Sequence, residues 1–267
     1  MPTRPFFNVL VTDFDKTLTT TDTISAVGHV LDTIHSTDAR YHNVPPFHSF
    51  VEKYMADTKA HDAWFEEIFR DYAKQGKTCS SHWLMKYLEG MTWVERESIS
   101  RAVAHGFFKG ATKQQMYKTG ARSPLVQLQP NAALALASIW DRCRTGINPI
   151  TVLSVNWSAD LIRGCIEQGV DDFLSATGCP DIVNRHKVES LARQVCVINP
   201  DMEFGPRSGL STGKLTRTLH AGIDKLRYFD TIIEDYKAAA APGRCDLRFA
   251  YAGDSINDLF CLRKCFA

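Results

Sequence analysis

Nothing in the 267-residue chain is long and apolar enough to read as a bilayer span. The start, Met1-Pro2-Thr3-Arg4, runs straight into a strand-like segment and lacks the layout of a secretory leader. Neither sign of charge dominates. Thirty-one basic residues face 30 acidic ones, a formal net charge of +1, which leaves no electrostatic footprint for nucleic acid and no polybasic patch for a membrane surface. The eight cysteines form no C-x-x-C pair, and the nine histidines show no H-E-x-x-H spacing. Cys261 and Cys265 lie four apart on an expected helix but have no matching Cys or His pair elsewhere. Internal repeats and low-complexity tracts are also missing. With several thiols set in apolar runs, such as Cys196 in Val195-Cys196-Val197-Ile198, the expectation is a cytoplasmic chain with free cysteines and a small-molecule ligand.

What is present concentrates at three segment ends. Phe6-Phe7-Asn8-Val9-Leu10-Val11 reads as a buried strand of a parallel sheet and is followed by Asp13-Phe14-Asp15-Lys16-Thr17-Leu18-Thr19. Open α/β sheets place ligands at the carboxyl ends of their strands, so Asp13 and Asp15 are candidate site residues. Two carboxylates brought together repel and call for a divalent cation with hard oxygen ligands. One could then attack a phosphorus atom while the other handles the proton. Leu247 to Ala252 reads as a second strand, ending in Gly253-Asp254-Ser255-Ile256-Asn257-Asp258. Pro149 to Leu153 reads as a third, ending in Ser154, where a hydroxyl and nearby backbone amides can meet a phosphate.

Between residues 19 and 128 the periodicity is helical. Ile24 to Leu31, Phe47 to Tyr72, Trp83 to Leu88 and Ser98 to Phe108 carry apolar residues at helical spacing, with breaks at Pro45-Pro46 and Gly76-Lys77-Thr78. After Pro130, strands and helices alternate: a helix over 132–140, the strand over 149–153, a helix over 160–168, a strand over 195–198, and a turn or hairpin over 204–218. The alanine run 238–241 before Pro242-Gly243 reads as a helix end. The expected fold is α/β: a Rossmann-like three-layer parallel sheet made of 1–18 and 129–267, with an α-helical insertion over 19–128.

These motifs resemble those of the haloacid dehalogenase (HAD) superfamily phosphatases with a helical cap. Asp13-Phe14-Asp15-Lys16-Thr17 is similar to that family's D-x-D-x-T, Ser154 to its strand-ending hydroxyl, and Gly253 to Asp258 to its G-D-x-x-x-D. The resemblance implies a phosphomonoester hydrolase in which Asp13 is the nucleophile and Asp15 the acid and base. It implies Mg²⁺ held by Asp13, the backbone carbonyl of Asp15, and Asp254, with Asp258 behind them. Ser154 and amides near Val155 and Asn156 would bind the phosphate. The family's lysine falls on Lys225, in a helix start, or on Lys214, in a turn; the helix start favours Lys225.

Residues 13–19 with Asp22, and residues 152–163, are similar to the phosphatase part of plant thiamine-monophosphate phosphatases and to related fungal HAD proteins; the chain as a whole also resembles phosphoserine-phosphatase-like members. Val155-Asn156-Trp157 stand where phosphoserine phosphatases have small glycines. Asp22 occupies the place of a glutamate that meets a substrate ammonium there; it equally suits a helix N-cap. Trp64, Phe65, Trp83 and Trp93 are candidates to stack on a flat cationic ring or, more commonly, to fill the core. The chain reaches Ala267 only nine residues after Asp258, short of the helix and strand with which the family continues, so the alternative expectation is a non-catalytic binding scaffold.

Overall fold

The computed structural model describes residues 6–76, 81–142, 148–176, 188, 190–239 and 246–265. Four strands, β1 (Phe6–Thr12), β3 (Ile150–Leu153), β4 (Cys196–Ile198) and β7 (Asp246–Ala252), form a parallel sheet in the order β4-β3-β1-β7. The sheet is mixed with helices in an α/β arrangement, as the alternating pattern predicts.

Side chains alternate across a pleated strand, so a buried sheet needs cover on both faces. Ile150, Val152 and Val197 join one core cluster with α5 (Ala132–Arg142), α6 (Ala159–Ala176) and α7 (Leu191–Gln194). Val9, Val11, Leu153 and Tyr251 join the other, with α8 (Gly222–Ala239) and α9 (Leu259–Cys265). In β7, Arg248 and Ala250 are exposed, as suits an edge strand with one covered face. Cys165 and Cys261 are buried free thiols; Cys196, expected inside a core run, is exposed on the opposite edge strand.

The segment between β1 and α5 leaves and returns through a narrow stem. Thr19 bridges Leu128 in antiparallel fashion, the Thr20 amide donates to Gln127 O at 2.9 Å, and the Gln129 amide donates to Leu18 O at 2.7 Å. Beyond the stem come α1 (Ile24–Thr37), α2 (Phe47–Lys74) and α3 (Ser81–Ala104). α2 starts directly after Pro46, where the missing proline N–H costs nothing. α2 and α3 pack antiparallel, with Tyr54 meeting Glu95 and Phe65 meeting Trp83.

Two expectations change here. Trp83–Leu88 and Ser98–Phe108 are not separate segments: α3 runs unbroken through both and stops at Ala104. Gly106 (φ +72°) ends it, with Phe107 N donating to Ala102 O and Gly106 N to Val103 O, both near 3 Å. That pair is a Schellman cap, and it turns Phe107 and Phe108 out of the helix into the core. The insertion is also not purely helical. β2 (Lys109–Thr112) pairs with β6 (Leu210–Leu215), which pairs with β5 (Met202–Phe204), giving an antiparallel sheet of order β2-β6-β5. The β5–β6 hairpin matches the extended pattern expected over 204–218. β2 has only four residues, one of them Gly110 at φ +94°, too few to show a period.

α4 (Lys113–Arg122) opens with a capping box, Gln115 N to Thr112 Oγ1 at 3.1 Å and Thr112 N to Gln115 Oε1 at 2.8 Å, and lies along α6. Two glycines permit the close approach. A Cβ on Gly120 would stand 2.0 Å from Leu161 O, and one on Gly164 would stand 2.2 Å from Tyr117 O. Among the described residues, no helix is long and apolar enough to cross a membrane.

The obstructing atoms at both glycines are backbone, which cannot rotate away. Gly120→Ala is therefore expected to destabilise by about 1–3 kcal/mol through overpacking, despite alanine's better helix propensity. Urea unfolding measures this; an unchanged or raised midpoint would show that α4 and α6 do not touch in this way.

Candidate active site

Strand register sets the site. Thr12 lies opposite Val152 of β3 on one side and Ala252 of β7 on the other. Asp13, Ser154 and Asp254 therefore leave three adjacent strands at one edge, the carboxyl edge where parallel sheets bind ligands. The Asp13 amide donates to Ala252 O at 2.8 Å, and the Ser154 amide to Ile198 O at 3.1 Å, so both positions are tied to the sheet. Lys16 then turns the chain at φ 60°, its amide held by Thr19 Oγ1 at 3.1 Å.

The two candidate lysines separate clearly. Lys225, in the first turn of α8, is 1% exposed and places Nζ 2.9 Å from Asp13 Oδ2 and 2.8 Å from Asp258 Oδ1. Lys214 is exposed on β6. Burial opposes the charge of Lys225, but Asp13 and Asp258 outweigh it and hold the ammonium above its ordinary range. Burial likewise pushes Asp258 up, yet the charge and hydrogen bond of Lys225, with donors from Tyr251 and Ser255, carry it below the usual value. Asp13 goes the other way: its burial, aided by the charge of Asp258, outweighs the pull of Lys225 and raises it.

Asp258 is saturated. Oδ1 accepts from Lys225 and, at 2.7 Å, from the Tyr251 hydroxyl; Oδ2 accepts from the Ser255 amide at 3.2 Å and hydroxyl at 2.8 Å. Asp254 is exposed and takes a hydrogen bond from Thr17 Oγ1 at 3.1 Å. Carboxylate oxygens of Asp13, Asp254 and Asp258 lie within 4.8 Å of one another; with Asp258 saturated, those of Asp13 and Asp254 are the hard oxygens open to a divalent cation. The Asp15 carboxylate is not part of this set. It accepts from the Thr23 amide at 2.7 Å, the Thr23 hydroxyl at 2.5 Å and Asn156 Nδ2 at 3.2 Å. Burial pushes Asp15 above the ordinary carboxyl range in spite of these donors.

Of the residues expected at the phosphate, Ser154 is fully buried and its Oγ accepts the Asn156 amide at 3.1 Å. Val155 packs against the core cluster under β1 and β7. The Asn156 side chain is committed to Asp15 and Thr23. Asp22 is exposed, and its Oδ1 accepts the Ile24 amide at 2.9 Å, a local turn contact one residue before Thr23, which holds the N-cap position of α1. Its charge also reaches Asp15 and Glu95 of α3, whose carboxyl burial and Asp22 together push up to about 7. Phe65 and Trp83 pack inside the α2–α3 hairpin, whereas Trp64 and Trp93 are 52% and 60% exposed.

Thr23, Tyr251 and Glu95 were not singled out from the sequence. A strand tyrosine gives no sign that its hydroxyl meets a carboxylate seven residues on, and Glu95 reads as one more charge on a helix. Thr23 carries a faint signal as the polar residue before α1.

No family model matches the chain. It is 23% identical over 261 residues to the Bifunctional TH2 protein, mitochondrial, of Arabidopsis thaliana, covering 95% of this chain but 38% of the plant protein. It is 26% identical over 262 residues to a CTO1 family protein of Schizosaccharomyces pombe, covering 95% of this chain and 77% of that one. The chain thus spans well under half the length of the plant relative.

Removing the buried ammonium strands two carboxylates. Lys225→Met is expected to cost on the order of 3 kcal/mol, the range for breaking a buried ion pair from one side, and Lys214→Met less than about 0.5 kcal/mol. Thermal melts of both variants test this; equal shifts would contradict the buried placement of Lys225.

Proposed function

We propose that this protein is a Mg²⁺-dependent phosphomonoester hydrolase of the HAD type, working through an aspartyl-phosphate on Asp13, with α2 and α3 as its helical cap. The observation that carries the reading is the buried Lys225 bound to both Asp13 and Asp258 at the edge where Asp254 also emerges. Lys225 fixes the Asp13 carboxylate through Oδ2, and the Phe14 amide holds Oδ1 at 2.7 Å. A carboxylate so held attacks phosphorus; the Asp13–phosphorus bond forms as the bond to the leaving oxygen breaks. Asp15, whose carboxyl burial pushes above its ordinary range, gives that oxygen its proton. In the second half Asp15 takes a proton from water, whose oxygen attacks phosphorus and releases Asp13.

Asp13 and Asp254, with the backbone carbonyl of Asp15, would hold Mg²⁺, and Asp258 would stabilise Lys225 from behind. Bound there, the ion supplies positive charge against the phosphoryl oxygens. On the phosphate side stand the Ser154 hydroxyl and the Val155 amide; the Asn156 amide, expected there too, is spent on Ser154 Oγ.

The substrate class follows from charge. The exposed Asp22 acts on Asp15, the leaving-group side of the reaction, and on Glu95 of the hairpin. A small phosphomonoester with a positive leaving group complements that side. Thiamine monophosphate is the leading candidate, on the resemblance of residues 13–19 with Asp22, and of residues 152–163, to the phosphatase part of plant thiamine-monophosphate phosphatases; phosphoserine and phosphocholine follow.

Hydrolysis of para-nitrophenyl phosphate is expected to require Mg²⁺, to stop on addition of a chelator, and to fall by at least about 10³-fold in Asp13→Asn with the fold retained. Wild-type turnover by that variant would remove the assigned chemistry. In a screen of phosphorylated metabolites, cationic esters are expected to rank first. Asp22→Asn keeps an acceptor for the Ile24 amide, so it should raise KM for cationic substrates and leave para-nitrophenyl phosphate nearly unchanged. A preference for anionic sugar phosphates, or an equal effect on all substrates, would overturn the substrate class.

A further inference from the structure

Asn156 does more in this structure than border a phosphate. It is fully buried, and every polar group it carries is engaged. Its backbone amide donates to Ser154 Oγ, and its carbonyl accepts from Asn199 Nδ2 at 3.0 Å. Its side-chain Oδ1 accepts the Ser158 amide at 3.0 Å, which fixes the sense of the amide plane. Both Nδ2 hydrogens therefore point the other way, one to Asp15 Oδ2 at 3.2 Å and one to Thr23 Oγ1 at 2.9 Å.

This sets the roles in the ring of Asp15, Thr23 and Asn156. Asn156 Nδ2 can only donate. Thr23 Oγ1 accepts from it, so the hydroxyl hydrogen is left to donate to Asp15 Oδ1 at 2.5 Å. The Thr23 amide, also a pure donor, takes the second acceptor position on Oδ1 at 2.7 Å. A carboxyl offers about four lone-pair positions. Three of them now face donors: two on Oδ1 and one on Oδ2. A proton on Asp15 has one place left, the remaining lone pair of Oδ2.

We propose that Asn156 is a positioning residue for proton transfer: with Thr23, it confines the mobile proton of Asp15 to one lone pair of Oδ2 and fixes the direction in which it is handed to the leaving oxygen. The inference rests on the phosphomonoesterase reading above. It ties the acid to the insertion, because Thr23 stands at the start of α1.

The test uses two esters that differ in their need for an acid. Para-nitrophenolate leaves without a proton; an alkoxide does not. kcat/KM for para-nitrophenyl phosphate and for glycerol 2-phosphate, which reports the steps through cleavage of the ester, is measured in wild type, Asn156→Ala and Thr23→Val. Both variants are expected to lose on the order of 10-fold more on glycerol 2-phosphate than on para-nitrophenyl phosphate. A structural role alone would lower the two rates together, and parallel losses within about twofold would overturn the proposal. If Asn156→Ala does not fold, Thr23→Val, which keeps the side-chain shape and removes the hydroxyl, decides. A wild-type protein inactive on both esters would instead remove the phosphomonoesterase reading itself.

Discussion

The rest of the site depends on one buried ammonium. Lys225 is nearly inaccessible to water, and it survives there as a charge because Asp13 and Asp258 lie on either side of it within 2.9 Å. Isolated, any of the three would be too costly to bury in ionised form. Together they stand only because the remaining lone pairs are also satisfied, by the Phe14 amide on Asp13 and by Tyr251 and Ser255 on Asp258. The three carboxylates Asp13, Asp254 and Asp258 with one ammonium carry two formal negative charges in excess, which complements a divalent cation.

From that centre the fold reads outward. β1, β3 and β7 must end in register for Asp13, Ser154 and Asp254 to share an edge, and α8 must start there for Lys225 to reach them. Gly222 allows that start: its amide donates to Asn257 Oδ1 at 3.1 Å, and a Cβ would stand 2.7 Å from Asn257 O. The insertion meets the same edge from the other side. Its stem at Thr19 and Leu128 holds the two chain ends together, and Thr23 just beyond it grips Asp15. Any rearrangement of α1 relative to the sheet would therefore act on Asp15 directly.

Much of this was legible in the chain. Apolar runs ending in Asp13, Ser154 and Gly253-Asp254 located the strands, and the helix start around Asp224-Lys225, taken with the family resemblance, favoured Lys225 and left Lys214 open; the structure buries Lys225. Three things were not legible. β2 is too short to display a period, and its partner β6 lies about a hundred residues away in sequence. The continuity of α3 was hidden because the weakly apolar stretch between Leu88 and Ser98 looks like a gap, while the Schellman cap at Gly106 was available as a glycine signal and passed over. The partner of Asp15 could not be read at all. Two aspartates two apart on an extended chain point to opposite faces, and what holds Asp15 is Asn156, 141 positions away, and Thr23, through contacts that only the folded chain brings together.

The central claim is chemical, that Asp13 carries the phosphoryl group between the two half-reactions. Borohydride reduces an acyl phosphate at aspartate to homoserine, so turnover quenched with borohydride and followed by peptide mass spectrometry reads the intermediate directly. The expected result is homoserine at position 13 only in samples given a phosphomonoester, with Asp15, Asp254 and Asp258 recovered unchanged. Hydrolysis that proceeds while Asp13 is recovered intact, or homoserine at another aspartate, would contradict it.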